Sequence, residues 1–195
     1  MNVKTKYTIK IALLAAIAFI LMLFQFPVPV FPGFLKIDFS DLPALLGSFA
    51  LGPIAGMIIE AVKNLLHALI RGTQTGGVGE LSNFIVGSAL AVPAGLVYLR
   101  QKTKKGAVKG LVVGVLAMAV VASFSNYFLV LPLYQKVLGM PLEVIVESSS
   151  KVNSAIVDLR SLIIYGILPF NLVKGTAVSI VTALLYKRLS WLLRK

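Results

Sequence analysis

The chain has 195 residues, of which 58% are hydrophobic and only 13% are charged, and its formal net charge is +12. A soluble domain needs far more polar surface than this, so the composition excludes an ordinary soluble protein and indicates an integral membrane protein. The absence of cysteine from the sequence excludes disulfides, thiolate catalysis and cysteine-ligated metals.

The basic residues are concentrated in three clusters that contain no acidic residue, at 4–10, 100–109 and 187–195. Most of the acidic residues fall in the connectors between the apolar runs. The positive-inside rule places such basic clusters in the cytoplasm. The net positive charge therefore indicates membrane topology, and no nucleic-acid partner is expected.

Long apolar runs predict helices that cross a bilayer, because about 20 helical residues span the ~30 Å hydrocarbon core. Four such spans are clear in the sequence, at approximately 7–24, 81–99, 110–134 and 161–186. The first span follows a basic start, as in a signal peptide. It lacks a persuasive small-residue cleavage site, so we expect it to be retained as the first helix.

The apolar region after the first connector is interrupted by Gly52 and Pro53 and predicts two short helices, at about 42–52 and 54–70. If the first two basic clusters are both cytoplasmic, an even number of crossings must separate them, which favours two short helices over one kinked span. A hairpin at the membrane surface that never crosses stays open as an alternative. The predicted fold is an all-α integral membrane protein with six transmembrane helices, both termini in the cytoplasm, and one domain over 1–195.

The first connector, 25–43, carries four prolines. Proline fixes φ and donates no backbone hydrogen bond, so this segment cannot be a continuous helix. Phenylalanines are spread through it, and polar residues collect towards its end, from Lys36 to Asp41. A stiff aromatic segment of this kind suits either a lid over a site at the membrane surface or an anchor at headgroup level. The composition leaves both roles open.

Polar and ionisable side chains inside membrane spans are costly, so they are the first candidates for function. Asn171 and Lys174 lie one turn apart in the last span, and no acidic residue lies within a turn of Lys174. This lysine needs a partner from another helix, a ligand or a water-filled cavity. We therefore predict that Asn171 and Lys174 bind a ligand. Asn126 lies among polar residues in the fifth span.

Glu60, Lys63 and His67 share one helical face by their spacing. The first two can neutralise each other, which favours a structural role for that pair. His67 is expected to be a packing residue, and the lack of a second histidine argues against a metal site. The sequence contains no nucleotide-binding loop and no hydrolase or metalloprotease motif. Active transport would therefore need energy from another protein or from an ion gradient.

In the first span, Ala12 and Ala16 lie four residues apart beside Ala15 and form a strip of small residues. Such strips allow helices to approach closely in a membrane. The strip can contact a partner protein or pack within this chain's own bundle, and the sequence leaves both open.

Three runs carry a family resemblance: FPVPVFPGFLKIDFSDLPALLGSFALGPIAG, EAVKNLLH and LPFNLVKG. Together they make the chain resemble the substrate-binding S components of energy-coupling-factor (ECF) vitamin transporters, most closely the riboflavin-specific ones. The resemblance covers essentially the whole length. It implies a six-helix bundle in a bacterial cell membrane, with a riboflavin pocket near the outer face that the first connector caps.

The resemblance implies that riboflavin is a transported ligand and that the protein needs no cofactor. Its partners would be a membrane coupling protein, which Ala12 and Ala16 would face, and two cytoplasmic ATPases that supply the energy. Asn171 and Lys174 would hold the flavin ring system. The full set of implied binding residues is Asn171, Lys174, Asn126, Asp38, Phe39 and Lys36.

Other functions stay open at this point. The chain could be an S component for another vitamin, which only ligand binding would distinguish. It could also be a stand-alone secondary carrier in which Glu60, His67 and Lys174 relay protons, and transport would then depend on a proton gradient. A membrane enzyme acting on lipid has little support, because the sequence offers no plausible nucleophile or metal set.

Overall fold

The computed structural model describes residues 2–194, and for residues 3 and 187–194 it describes the backbone alone. The side chains of the third basic cluster, 187–195, therefore lie outside the described residues. Within the described part of the chain, five helices are long and apolar enough to cross a membrane: Lys4–Met22, Pro53–Arg71, Val78–Arg100, Lys104–Leu138 and Leu159–Tyr186. A further apolar helix, Asp41–Leu51, is shorter. The predicted helical membrane architecture is confirmed.

The α-helices of the described residues are α1 (Val3–Met22), α2 (Asp41–Leu51), α3 (Pro53–Leu66), α4 (Val78–Arg100), α5 (Lys104–Ser125), α6 (Leu131–Leu138), α7 (Leu142–Ser150), α8 (Leu159–Ser161) and α9 (Leu168–Arg194). π-Helical segments at His67–Arg71, Asn126–Val130 and Leu162–Ile167 follow α3, α5 and α8. The first connector contains two short antiparallel strands, β1 (Phe26–Pro27) and β2 (Lys36–Ile37). These strands are a small departure from the expected all-α fold.

The predicted break between the second and third helices is present at Gly52 and Pro53. Gly52 has a φ of 109°, which residues with a side chain rarely adopt, and Pro53 is the first residue of α3, where its missing N–H is not needed. The second helix is shorter than a membrane span, because its 11 residues cover only about 16 Å. The two helices pack closely, since a Cβ on Gly56 would lie 2.8 Å from the Cβ of Ser48.

The first connector forms a hairpin that folds over one end of the bundle. Its strands pair Phe26 with Ile37 and Pro27 with Lys36. Between the strands, the ring of Phe31 packs edge-on against Phe170 of α9, with 5.4 Å between ring centroids. The hairpin therefore contacts α9 at this end of the bundle.

Close packing of α4 against α5 depends on small residues in α5. A Cβ on Gly110 or Gly114 would lie 2.6 Å from the backbone carbonyl oxygen of Ala94 or Leu90 in α4. The chain continues from α5 through the π-helical segment into α6, so this helix is longer than the predicted span 110–134. The connector that follows contains α7.

Candidate functional site

A cavity of about 380 Å³ lies at the end of the bundle that the hairpin covers. The end of α1, the hairpin, the segment 71–80 and the polar ends of α4 and α9 all contribute to its walls. Of the residues implied by the family resemblance, five line the cavity: Lys36, Asp38, Asn126, Asn171 and Lys174. Phe39 does not belong to the lining and instead packs against the hydrophobic core.

The two predicted asparagines reach the cavity from different helices but have the same local geometry. The side-chain Nδ2 of Asn126 donates to the carbonyl oxygen of Ala122, and that of Asn171 donates to the carbonyl of Ile167, each at 2.8 Å. A primary amide has two N–H donors and an accepting oxygen. One bond to the helix backbone therefore orients each amide and leaves it capacity to bind a ligand.

Lys174 has acidic partners that come from a distant part of the chain. Its Nζ lies 3.0 Å from Oδ2 of Asp38 and 3.3 Å from Oδ2 of Asp41. Asp38 follows β2 and Asp41 begins α2, so both stand at the base of the hairpin. The sequence predicts for this lysine a partner from another helix, a ligand or a water-filled cavity. The structure shows a partner from another helix, Asp41 of α2, together with Asp38 of the connector, and neither residue was predicted as its partner.

The predicted Glu60–Lys63 ion pair is present, with 2.8 Å between Nζ and Oε2. The same Nζ lies 2.5 Å from Oδ1 of Asp41 and donates to Oγ of Ser40 at 2.8 Å. The pair therefore belongs to a larger group. We call its charged members, Asp38, Asp41, Glu60, Lys63 and Lys174, the buried charge cluster.

The buried charge cluster brings three carboxylates and two ammonium groups together away from solvent, and each of its side chains is at most 6% exposed. Burying a charge is unfavourable unless partners and hydrogen bonds compensate, so removing one member leaves a costly unpaired charge. The cluster also joins three parts of the fold, because its members come from the hairpin base, α3 and α9. Among these residues, Asp38 and Lys174 also line the cavity.

His67 pairs with a residue that the sequence did not suggest. Its Nδ1 lies 3.0 Å from Oε1 of Glu80, at the start of α4, and the other oxygen of that carboxylate accepts a hydrogen bond from Thr73 at 3.0 Å. Both His67 and Glu80 line the cavity. Among the described residues, no group of three or more His, Cys, Asp and Glu side chains is arranged to hold a metal ion.

The glycine-rich segment 71–80 has a defined local structure. The hydroxyl of Thr73 accepts from the backbone N–H of Gly77 at 2.7 Å, and that of Thr75 accepts from Gly79 at 2.9 Å. Gly77 immediately precedes α4 and Gly79 is its second residue, so the two threonines order the turn that leads into this helix. The segment thereby forms part of the cavity wall.

The small-residue strip of α1 faces away from the bundle. Ala12 and Ala16 are exposed, whereas Leu14, Ala15 and Ala18 are buried against the neighbouring helices. α1 therefore packs within this chain's own bundle through a different face, the one that carries Leu14, Ala15 and Ala18. The exposed strip is available to another helix.

Comparisons with known proteins agree on one family. The sequence pattern described as "ECF transporter, substrate-specific component" matches residues 6–186. The riboflavin transporter FmnP of Bacillus subtilis (strain 168) is 38% identical over 187 residues, which cover 95% of this chain and 93% of the relative. The riboflavin transporter RibU of Staphylococcus aureus (strain TCH60) is 37% identical over 192 residues, covering 98% and 94%.

A solved structure gives the same answer for the fold. It is described as the S component of a bacterial ECF transporter, and it aligns with a TM-score of 0.78 and 36% sequence identity. The alignment covers 98% of this chain and 99% of the solved chain.

Proposed function

Because the chain belongs to the family of substrate-specific components of ECF transporters, we propose that it is the high-affinity riboflavin-binding subunit of such a transporter. The family is one of transport components, so the chain is a multi-pass bacterial membrane protein and not an enzyme. The observation that carries the choice of riboflavin is the similarity, over nearly the whole chain, to two relatives named as riboflavin transporters.

The cavity supports this proposal by its size and its polar groups. Its volume of about 380 Å³ lies in the range of small-molecule sites. The pyrimidine edge of a flavin alternates hydrogen-bond donors and acceptors. The amides of Asn126 and Asn171 can complement both, and the ammonium group of Lys174 can donate a charge-assisted hydrogen bond to a carbonyl oxygen.

The hairpin would close the site from above. Lys36 and Asp38 of the hairpin line the cavity. Phe31 of the hairpin packs against Phe170 of α9, the residue that precedes Asn171. In this arrangement Phe39 supports the hairpin base from the hydrophobic core and does not touch the ligand. Residues 1–195 would act as a single substrate-binding domain.

The proposed topology has six crossings and both termini in the cytoplasm. It follows from the basic clusters at 4–10 and 100–109, which the positive-inside rule places inside. The short helix α2 would complete a crossing together with the hairpin region. With this orientation the cavity opens towards the outer face, where a vitamin would be captured.

Transport would be energised by partners. The family resemblance implies that two cytoplasmic ATPases would hydrolyse ATP and that a membrane coupling protein would link them to this subunit. The lack of a nucleotide-binding loop in the sequence is compatible with that arrangement. The exposed strip at Ala12 and Ala16 offers that coupling protein a surface for close helix packing.

The proposal is tested by titrating riboflavin with the purified protein in mild detergent and following the quenching of flavin fluorescence. We expect saturable one-to-one binding that a large excess of thiamine or biotin does not displace. Binding of another vitamin without binding of riboflavin would reassign the substrate and keep the family. Uptake into vesicles that needs a proton gradient and no ATPase partner would contradict the proposed energy source.

A further inference from the structure

Part of the buried charge cluster lies behind the cavity wall, where it cannot contact a ligand directly. Asp38 and Lys174 line the cavity, whereas Asp41, Glu60 and Lys63 do not. These three side chains are at most 1% exposed. The binding mode proposed above assigns no role to them.

Asp41 connects the hidden part of the cluster to the cavity. Its Oδ2 lies 3.3 Å from Nζ of Lys174, and its Oδ1 lies 2.5 Å from Nζ of Lys63. A lysine has a flexible four-carbon stem, so its ammonium group needs fixed partners to hold one position. Asp38 and Asp41 supply two carboxylate oxygens for this purpose.

Lys63 and its neighbours hold the carboxylate of Asp41 in turn. The Nζ of Lys63 also contacts Oγ of Ser40 and Oε2 of Glu60, each at 2.8 Å. Ion pairs hold geometry weakly at a solvated surface, but they are much stronger where water is excluded. The buried chain from Glu60 through Lys63 to Asp41 therefore constrains where the ammonium group of Lys174 sits.

We propose that Asp41, held by Lys63 and Glu60, is a positioning residue for the ligand. It fixes the place at which Nζ of Lys174 meets the cavity, and so aims the charge-assisted hydrogen bond at the flavin carbonyl. Asp41 acts through the lysine and does not touch the ligand. This inference rests on the proposed function, in which Lys174 binds the flavin.

A double-mutant cycle on riboflavin affinity tests the proposal, using the wild type, Asp41→Asn, Lys174→Met and the double variant. In the wild-type background, Asp41→Asn should weaken binding roughly tenfold to a hundredfold, the range for a hydrogen bond to a charged group. In the Lys174→Met background it should change affinity by no more than about twofold. Equal losses in both backgrounds would overturn the proposal, because a purely structural role would act with or without the lysine.

A second variant keeps the test decisive if Asp41→Asn does not fold. The pair Glu60→Gln and Lys63→Met removes one charge of each sign behind Asp41 and preserves the net charge of the cluster. It should weaken binding in the presence of Lys174 and leave affinity unchanged in the Lys174→Met background. Losses that are the same in both backgrounds would again contradict the proposal.

Ser48→Ala is the matched control for a buried polar change in α2. The hydroxyl of Ser48 is buried and donates to the carbonyl of Ala91 at 2.6 Å. This variant should lower thermal stability and leave riboflavin affinity unchanged.

If the wild type binds no riboflavin, the proposed function fails and this inference fails with it. If the wild type binds and the cycle is additive, this inference alone fails.

Discussion

Replacing Lys174 by methionine separates the two roles that the structure gives this residue. Methionine keeps a similar length and apolar volume but removes the ammonium group that lies 3.0 Å from Asp38 and 3.3 Å from Asp41. With all groups ionised, the buried charge cluster has a formal charge of −1, from three carboxylates and two ammonium groups. The substitution changes that charge to −2.

The expected loss of stability follows from this unpaired charge. Breaking a buried ion pair by removing one partner costs about 3–5 kcal/mol. For a chain of this length that corresponds to a fall of the order of 10 °C in the unfolding midpoint. Adding Asp38→Asn to Lys174→Met returns the formal charge of the cluster to −1. The double variant should therefore recover at least half of the fall in the unfolding midpoint.

Riboflavin affinity should respond differently from stability. Both variants lack the ammonium group, so each should bind riboflavin at least about tenfold more weakly than the wild type. Thermal unfolding in detergent and fluorescence quenching by riboflavin measure the two effects on the same samples. A folded Lys174→Met protein with wild-type affinity would refute the assignment of this lysine to the site. An unchanged unfolding midpoint would refute the ion-pair argument.

Three further predictions concern other parts of the chain. Gly87→Ala should destabilise the protein by roughly 1–3 kcal/mol in thermal unfolding, because its Cβ would overlap the carboxylate of Glu60. Ala16→Leu should leave riboflavin binding unchanged and abolish uptake in cells. The bulkier side chain would prevent close helix packing at the exposed strip that is proposed to contact the coupling protein. Asp158→Asn should remove a pH-dependent part of stability. Backbone and side-chain hydrogen bonds from Ser161 hold the pKa of Asp158 below its ordinary value, so its contribution is complete above about pH 4 and disappears as the pH falls through the lowered pKa.

Controls and contradicting results differ for these three variants. Gly33→Ala is the control for Gly87→Ala, since a Cβ on Gly33 would meet nothing within 4 Å, and equal midpoints for the two variants would contradict the packing argument. Val112→Leu, on the exposed face of α5, is the control for Ala16→Leu, and normal uptake by Ala16→Leu would remove the strip from the interface. For Asp158→Asn, a midpoint difference from the wild type that persists unchanged below the lowered pKa would show that the charge is not responsible.

The general architecture was predictable because membrane helices leave strong signals in a sequence. Long apolar runs located the major spans, and Gly52 followed by Pro53 marked a helix boundary that the structure contains. The short length of α2 was also visible, since only 11 residues separate the hairpin base from that break. The β-strands were not predicted, because each has only two residues and proline stands in one of them.

The candidate site was predictable where a single residue was unusual for its sequence context. A lysine within an apolar span needs a partner, so Lys174 could be identified without the structure. Its partner Asp38 could not be identified, because 136 residues separate the two and no local periodicity relates them. Asp41 is only one of several polar residues at the end of the connector in the sequence, which gives no sign that its side chain is buried, at 1% exposed.

The His67–Glu80 contact shows a second limit of sequence reasoning. It depends on the π-helical continuation of α3 and on the threonine hydrogen bonds that order the segment before α4. Neither feature follows from hydrophobic periodicity, which locates helices but not the ends of their last turns. The same limit applies to Phe39, whose ring packs against the core although its neighbour Asp38 lines the cavity.

The visible absorption spectrum of the protein as purified from riboflavin-fed cells tests the central claim most directly. A high-affinity riboflavin-binding subunit should retain its ligand through purification in mild detergent. We therefore predict a yellow protein whose released chromophore is riboflavin, in about one-to-one ratio with the chain, and a colourless Lys174→Met protein. A colourless wild-type protein that also fails to quench added riboflavin would contradict the account and direct the search to other vitamins.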